Sequence, residues 1–189
     1  MSVYKKTGFF AVGAEGISKE RNAGAIFRTA HAFDADFVFT VNPEVNIKTM
    51  YQADTSKTFQ HLPYYEYESA DEINVPKNCA IVGVELCDKS VELPEFCHPM
   101  RAAYVFGPER GSLSSEMQEK CDYIVKIPTK FCINVSAAAA IIIYDRVQSL
   151  HKWRRRPLTP RGKLEEHPPH QSGGPIIRKN RKKDVGYDF

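Results

Sequence analysis

The chain has 189 residues, 42% of them hydrophobic and 26% charged, a balance that suits one domain of ordinary size with about 40 residues to spare and excludes wholesale disorder. No run of about 18 apolar residues occurs, the longest apolar stretch being Val135 to Tyr144 with Ser136 inside it, so no membrane-spanning helix is expected. The net charge of +3 conceals a division, because 15 Lys and Arg face 19 Asp and Glu up to Leu150 while 11 face 4 beyond it.

In chain order, an apolar patch after Lys5 and Lys6 is followed by Glu15 and Lys19 with no small-residue cleavage site. It reads as a first strand, Phe9 to Val12, of a cytoplasmic protein. Residues 18–36 place Ala25, Ile26, Thr29, Ala30 and Phe33 at helical spacing, with Ser18 available to cap the start. Strands are expected at Phe37 to Val41, Ala80 to Glu85, Ala102 to Phe106 and Tyr123 to Ile127. Between Val41 and Ala80, a short helix near Ile47 to Tyr51 and a strand at Tyr64 to Tyr67 are expected. A final helix from Asn134 to Trp153 carries Ala137, Ala140, Ile141, Tyr144, Val147 and Leu150 along one stripe. Short β-branched and aromatic runs alternating with helices imply an α/β fold with a mainly parallel sheet. The five cysteines, Cys79, Cys87, Cys97, Cys121 and Cys132, are odd in number and lack metal-ligand spacing. They read as reduced thiols, several of them core filler, and no metal is expected.

Residues 1–153 therefore form the expected domain, and residues 154–189 a Pro- and Gly-rich basic extension with little power to pack a core. Its clusters, Lys152 with Arg154, Arg155 and Arg156, and Arg178, Lys179, Arg181, Lys182 and Lys183, suit a polyphosphate backbone, although a solvated tail would have the same composition.

Ligands in open α/β sheets bind where strands end, and three such segments carry candidate chemistry. In the first, Asn22 and Arg28 flank Gly24 on the opening helix. A buried or half-buried Arg there needs an anion, either a core carboxylate or a ligand phosphate. In the second, Tyr104-Val-Phe-Gly-Pro-Glu-Arg-Gly111 runs a strand into a Gly/Pro turn, with a helix start at Ser114. The turn is either a plain connection or a place where backbone groups face a ligand. In the third, Ile127-Pro128 leads through Cys132 to Asn134 and Ser136 at the head of the final helix, where side chains can cap free amides or meet a ligand.

In this order and at these separations, Asn22/Gly24/Arg28, Phe106 to Glu109 with Gly111, and Ile127/Pro128 with Ile133/Asn134/Ser136/Ala137 resemble the SPOUT superfamily of RNA methyltransferases, in particular the SpoU/TrmH type that methylates ribose 2′-hydroxyls. The resemblance covers residues 7–150. It implies a SPOUT fold whose C-terminal segment makes a deep trefoil knot, an exception to the usual absence of knots.

It also implies S-adenosylmethionine as cofactor, held by Val84, Glu85 and Leu86, by Phe106, Gly107 and Glu109, and by Ile127, Pro128, Ile133, Asn134, Ser136 and Ala137. Backbone groups of Gly107, Ile127 and Ile133 would recognise adenine, so no G-x-G-x-x-G fingerprint is required. Arg28 matches the family's catalytic arginine. A guanidinium, which keeps its proton, suits phosphate anchoring and stabilisation of a developing alkoxide better than proton abstraction. Asn22, Glu109 and Asn134 would complete the polar shell. Cys132 stands where many relatives carry Ser, which removes a hydroxyl from that position. The family acts as a homodimer through its first and last helices, here residues 23–33 and 137–150. With the chain starting almost at its first strand, RNA capture is expected to rest on the core surface and the basic tail. Its compactness favours tRNA over rRNA as substrate. The competing reading is a knotted RNA-binding or assembly protein without catalysis.

Overall fold

The computed structural model describes residues 8–46, 49 and 58–150. Most of the expected helix near Ile47 to Tyr51 and the basic tail, from Lys152 to Lys183 and beyond, lie outside the described residues. Among the described residues seven strands form one sheet in the order β3-β2-β1-β6-β4-β7-β5, and every pair is parallel. They are β1 (Phe9–Glu15), β2 (Phe37–Val41), β3 (Tyr64–Tyr67), β4 (Ala80–Val84), β5 (Val91–Glu92), β6 (Arg101–Phe106) and β7 (Tyr123–Lys126). The two-residue edge strand β5 is too short to leave a pattern in the sequence. Among the described residues no helix is long and apolar enough to cross a membrane.

A parallel sheet must be covered on both faces, and its period-two alternation distributes the side chains accordingly. On one face Phe10, Val12, Ala14, Val82, Ala102, Tyr104 and Phe106 meet α1 (Glu20–Ala32) and α3 (Val135–Ser149). On the other, Ala11, Phe37, Phe39, Ala103 and Val105 meet Ala70, Ile73, Leu113 and Met117, the last from the short helix α2 (Ser115–Lys120). Helices α1 and α3 also pack against each other. Cys79 is buried and Cys121 half-buried, as core filler would be, but Cys97 and Cys132 are exposed and Cys87 is intermediate.

Two details of the helices differ from the expectation. Ser18 does not cap α1: Lys19 is the N-cap residue, with no side-chain cap, because the Ser18 hydroxyl is committed elsewhere, to Glu109. Along α3 the buried residues are Ala139, Ile142, Ile143, Arg146 and Val147. The expected stripe overlaps this face only in part: Val147 is buried and Ala140 and Leu150 are half-buried, but Ala137, Ile141 and Tyr144 are exposed. The phase that is buried contains an arginine, and for that reason it does not read as a core face.

Arg146 is 1% exposed. Its guanidinium donates to the backbone oxygens of Pro99 (2.6 Å), Met100 (2.9 Å) and Phe9 (3.2 Å) and to the Tyr104 hydroxyl (3.1 Å). The rings of Phe10 and Tyr104 lie 5.2 and 5.6 Å from it. One side chain thus ties α3 to the starts of β1 and β6, substituting fixed dipoles and π-faces for a carboxylate. The Tyr104 hydroxyl continues to buried His98 Nδ1 (2.6 Å), and His98 Nε2 to Asp145 (3.0 Å). Burial lowers the His98 pKa despite the Asp145 carboxylate, so the imidazole is neutral at pH 7. Arg146→Met keeps the apolar stem but strands buried carbonyls. It is expected to cost about 3 kcal/mol of unfolding free energy, measured by urea denaturation at unchanged m-value.

Candidate active site

A cavity of about 370 Å³ opens where β4, β6 and β7 end, and its size is typical of small-molecule sites. The three expected loops meet there. Val84, Glu85 and Leu86 come from the end of β4, Phe106, Gly107 and Glu109 from the end of β6, and Ile127, Ile133 and Asn134 from the segment between β7 and α3, with Asn22 reaching in from α1. Pro128, Ser136, Ala137 and Arg28 are not part of the wall.

Helix geometry explains three of these. Asn134 and Ala138 are one turn apart and share the inward face, so Val135 and Ala138 line the cavity while Ser136 and Ala137 turn away. Ser136 instead serves the cap, its amide donating to Asn134 Oδ1 at 2.9 Å and its hydroxyl to the same oxygen. Arg28 lies six residues from Asn22, about a third of a turn around α1 from it, and is exposed rather than buried. Cys132, Pro108 and Gly111 from the expected segments and, without any signal in the sequence, Lys19, Lys126 and Thr129 complete the wall.

The β6–α2 loop is held over the strand ends by two carboxylates. Glu85 accepts from the backbone amides of Leu113 (2.8 Å) and Leu86 (2.7 Å). Glu15, at the end of β1 and absent from the sequence reading of the site, accepts from the Ser114 amide (2.9 Å) and hydroxyl (2.6 Å). Ser114 in turn caps α2 by accepting from the Met117 amide at 3.0 Å. The loop needs both its glycines. Gly111 has φ +106°, and a Cβ on Gly107 would sit 3.2 Å from the Leu113 amide nitrogen and 3.5 Å from Glu85 Oε2.

A second set of hydrogen bonds joins the three motifs. Glu109 Oε2 accepts from the Ser18 amide (3.0 Å) and hydroxyl (2.8 Å), and Oε1 from the Lys19 amide (3.1 Å) and Asn22 Nδ2 (2.8 Å). Asn134 Nδ2 then donates to Asn22 Oδ1 at 3.2 Å. Burial pushes the Glu109 carboxyl up, but the donors from Asn22 and Ser18 outweigh it and hold the pKa below the ordinary value. The carboxylate has about four acceptor positions, and four donors occupy them.

Residues 10–144 match the SpoU rRNA methylase family. The chain belongs to this family of methyltransferases. It is 27% identical over 158 residues to the tRNA (guanosine(18)-2′-O)-methyltransferase of Borreliella burgdorferi, covering 78% of this chain and 70% of that protein. It is 27% identical over 146 residues to a Staphylococcus haemolyticus protein assigned to the TrmH family of tRNA/rRNA methyltransferases, covering 73% of this chain and 58% of the relative. The fold is shared with the SpoU methyltransferase AviRb from Streptomyces viridochromogenes, solved in complex with AdoMet, at a TM-score of 0.66 and 21% identity over 75% of this chain and 57% of that one. The chain thus spans between about half and seven tenths of the length of these proteins.

A glutamine at position 109 can accept through one oxygen only, so Glu109→Gln sets its amide against two of the four donors. The variant is expected to be less stable than wild type at pH 7. Because the folded pKa of Glu109 is depressed, its contribution is present above the unfolded carboxylate value, about 4.3, and is lost as pH falls through the lower folded value. Urea titrations of both proteins between pH 7 and pH 3 are expected to show a constant stability difference near neutrality that shrinks below about pH 4.

Proposed function

We propose that the chain is an S-adenosylmethionine-dependent RNA ribose 2′-O-methyltransferase acting on tRNA. The observation that carries this reading is the hydrogen-bonded convergence of Asn22, Glu109 and Asn134 on one cavity at the strand ends. Ribose specificity is supported by the Asn22/Gly24/Arg28 pattern and by the activity that the Borreliella relative is named for, which also favours tRNA.

The cavity residues fit the cofactor. Gly107, Ile127 and Ile133 offer backbone groups to an adenine at a wall where a Cβ on residue 107 would crowd Leu113, while Val84, Leu86 and Val135 supply apolar surface. Bound there, S-adenosylmethionine supplies an electrophilic methyl group on sulfonium sulfur. The residues of the chain need only align the acceptor oxygen and manage its charge. Asn134, at the helix head, presents an amide to the acceptor ribose. Glu109, with its acceptor positions filled, acts through Asn22 as a positioning residue and not as a base.

Arg28, exposed and off the wall of its own cavity, fits a site completed by a second copy. A homodimer through α1 and α3 would cover exposed Ile141 and Tyr144. Arg28 would then anchor a phosphate or stabilise the developing alkoxide of the partner's substrate. The knot is supported by the chain's path: β7 pairs beside β4, yet α3 returns to pack on α1, so the segment between them crosses the ends of β4 and β6. The basic tail would add sequence-independent phosphate contacts.

Two measurements test this. Calorimetric titration with S-adenosylhomocysteine is expected to give micromolar binding, about −8 kcal/mol, abolished in Gly107→Val; a wild-type chain that does not bind would remove the methyltransferase reading. Arg28→Ala is expected to lose methyl transfer while binding S-adenosylhomocysteine within about twofold of wild type. Mixed with Asn134→Ala, it should recover up to about a quarter of wild-type turnover, because a random heterodimer carries one intact composite site. No recovery would place Arg28 and Asn134 in the same subunit's site.

A further inference from the structure

Phe131 is 76% exposed, the most exposed of the large hydrophobic side chains among the described residues. Its exposure is not a loose end of chain. The Thr129 hydroxyl donates to the Phe131 backbone oxygen at 2.9 Å and the Thr129 amide to the Ile127 oxygen at 2.8 Å. The turn between Ile127 and Ile133 is therefore braced internally. Both of those residues, with Thr129 and Cys132 on either side of the ring's position, line the cavity. Phe131 thus stands in the turn that borders the cavity, beside exposed Lys130. A braced turn holding an aromatic ring in water next to a cation is a poor arrangement for stability. It is a good one for a flat, apolar-faced, anionic ligand, because every nucleobase offers a π-face and its backbone a phosphate.

We propose that Phe131 is a stacking platform for an unpaired nucleobase of the RNA, next to the nucleotide being methylated, with Lys130 paired to the adjoining phosphate. This rests on the functional reading above and adds a residue for gripping the substrate. Stacking carries no net charge, so its contribution is independent of salt, whereas that of Lys130 falls as salt rises.

The test uses the full chain with unfractionated tRNA and, in parallel, fragmented ribosomal RNA, at 50 and 200 mM salt, with S-adenosylhomocysteine affinity measured on the same preparations. Phe131→Ala is expected to weaken RNA binding about tenfold, equally at both salt concentrations, as the loss of one base stack predicts. S-adenosylhomocysteine affinity should stay within about twofold, and Phe131→Trp should restore RNA binding. Lys130→Ala should instead reduce the salt slope by about 0.7 to 0.9. RNA binding by Phe131→Ala within twofold of wild type would overturn the proposal. So would an S-adenosylhomocysteine affinity that falls in step with RNA affinity, which would assign the ring to the cofactor. A wild-type chain that binds S-adenosylhomocysteine while Phe131→Ala binds RNA normally refutes this proposal alone; a wild-type chain that binds neither ligand refutes it together with the methyltransferase reading.

Discussion

The site depends on the Glu109 carboxylate and the direction it imposes on its neighbours. A carboxylate can only accept, so Asn22 must turn its Nδ2 toward Glu109 and its Oδ1 away. That oxygen accepts from Asn134 Nδ2, which leaves Asn134 Oδ1 to receive the Ser136 amide and start α3. A single negative charge on the β6 loop thereby fixes the orientation of two amides, on segments 87 and 112 residues apart in pairwise sequence separation, and reaches the cap of the last helix. Each bond is modest by itself. The chain of them gives the cavity wall one polar arrangement out of several that the amides alone would allow.

The other two strand-end carboxylates serve the backbone. Glu15 and Glu85 hold adjacent amides at Ser114 and Leu113, so the Gly107–Ser114 loop hangs from β1 and β4 at once. At the opposite end of the same sheet, Arg146 gathers carbonyls from the starts of β1 and β6. The sheet is thus clasped by acids where its strands finish and by a buried cation near where they start. The ligand-facing end is where backbone amides are free to be bound, and the acids are placed to use them.

Much of this was legible in the residues. Short β-branched and aromatic runs marked five of the seven strands among the described residues, and aromatic Tyr64 to Tyr67 a sixth, because buried parallel strands need apolar side chains on both faces. The spacing of Asn22, Glu109 and Asn134 against Gly and Pro marked the three loops that meet at the cavity. The face of α3 was misleading for a definite reason: hydrophobicity pointed to Ile141 and Tyr144, while burial chose the phase containing Arg146, whose partners are carbonyls on distant strands.

The sequence by itself determined the alternation of strands and helices, the turn glycines, and which residue types could stand at the strand ends, since these follow from local backbone preference and side-chain period. Only the tertiary structure decided which face of each helix turns inward, and so placed Ala138 on the cavity wall and Ser136, Ala137 and Arg28 off it. It alone assigned partners to Glu15, Glu109 and Arg146, because the groups that satisfy them lie about 90 or more residues away for the acids and up to 137 away for the arginine. No local pattern encodes a donor and an acceptor that meet only when the sheet has formed.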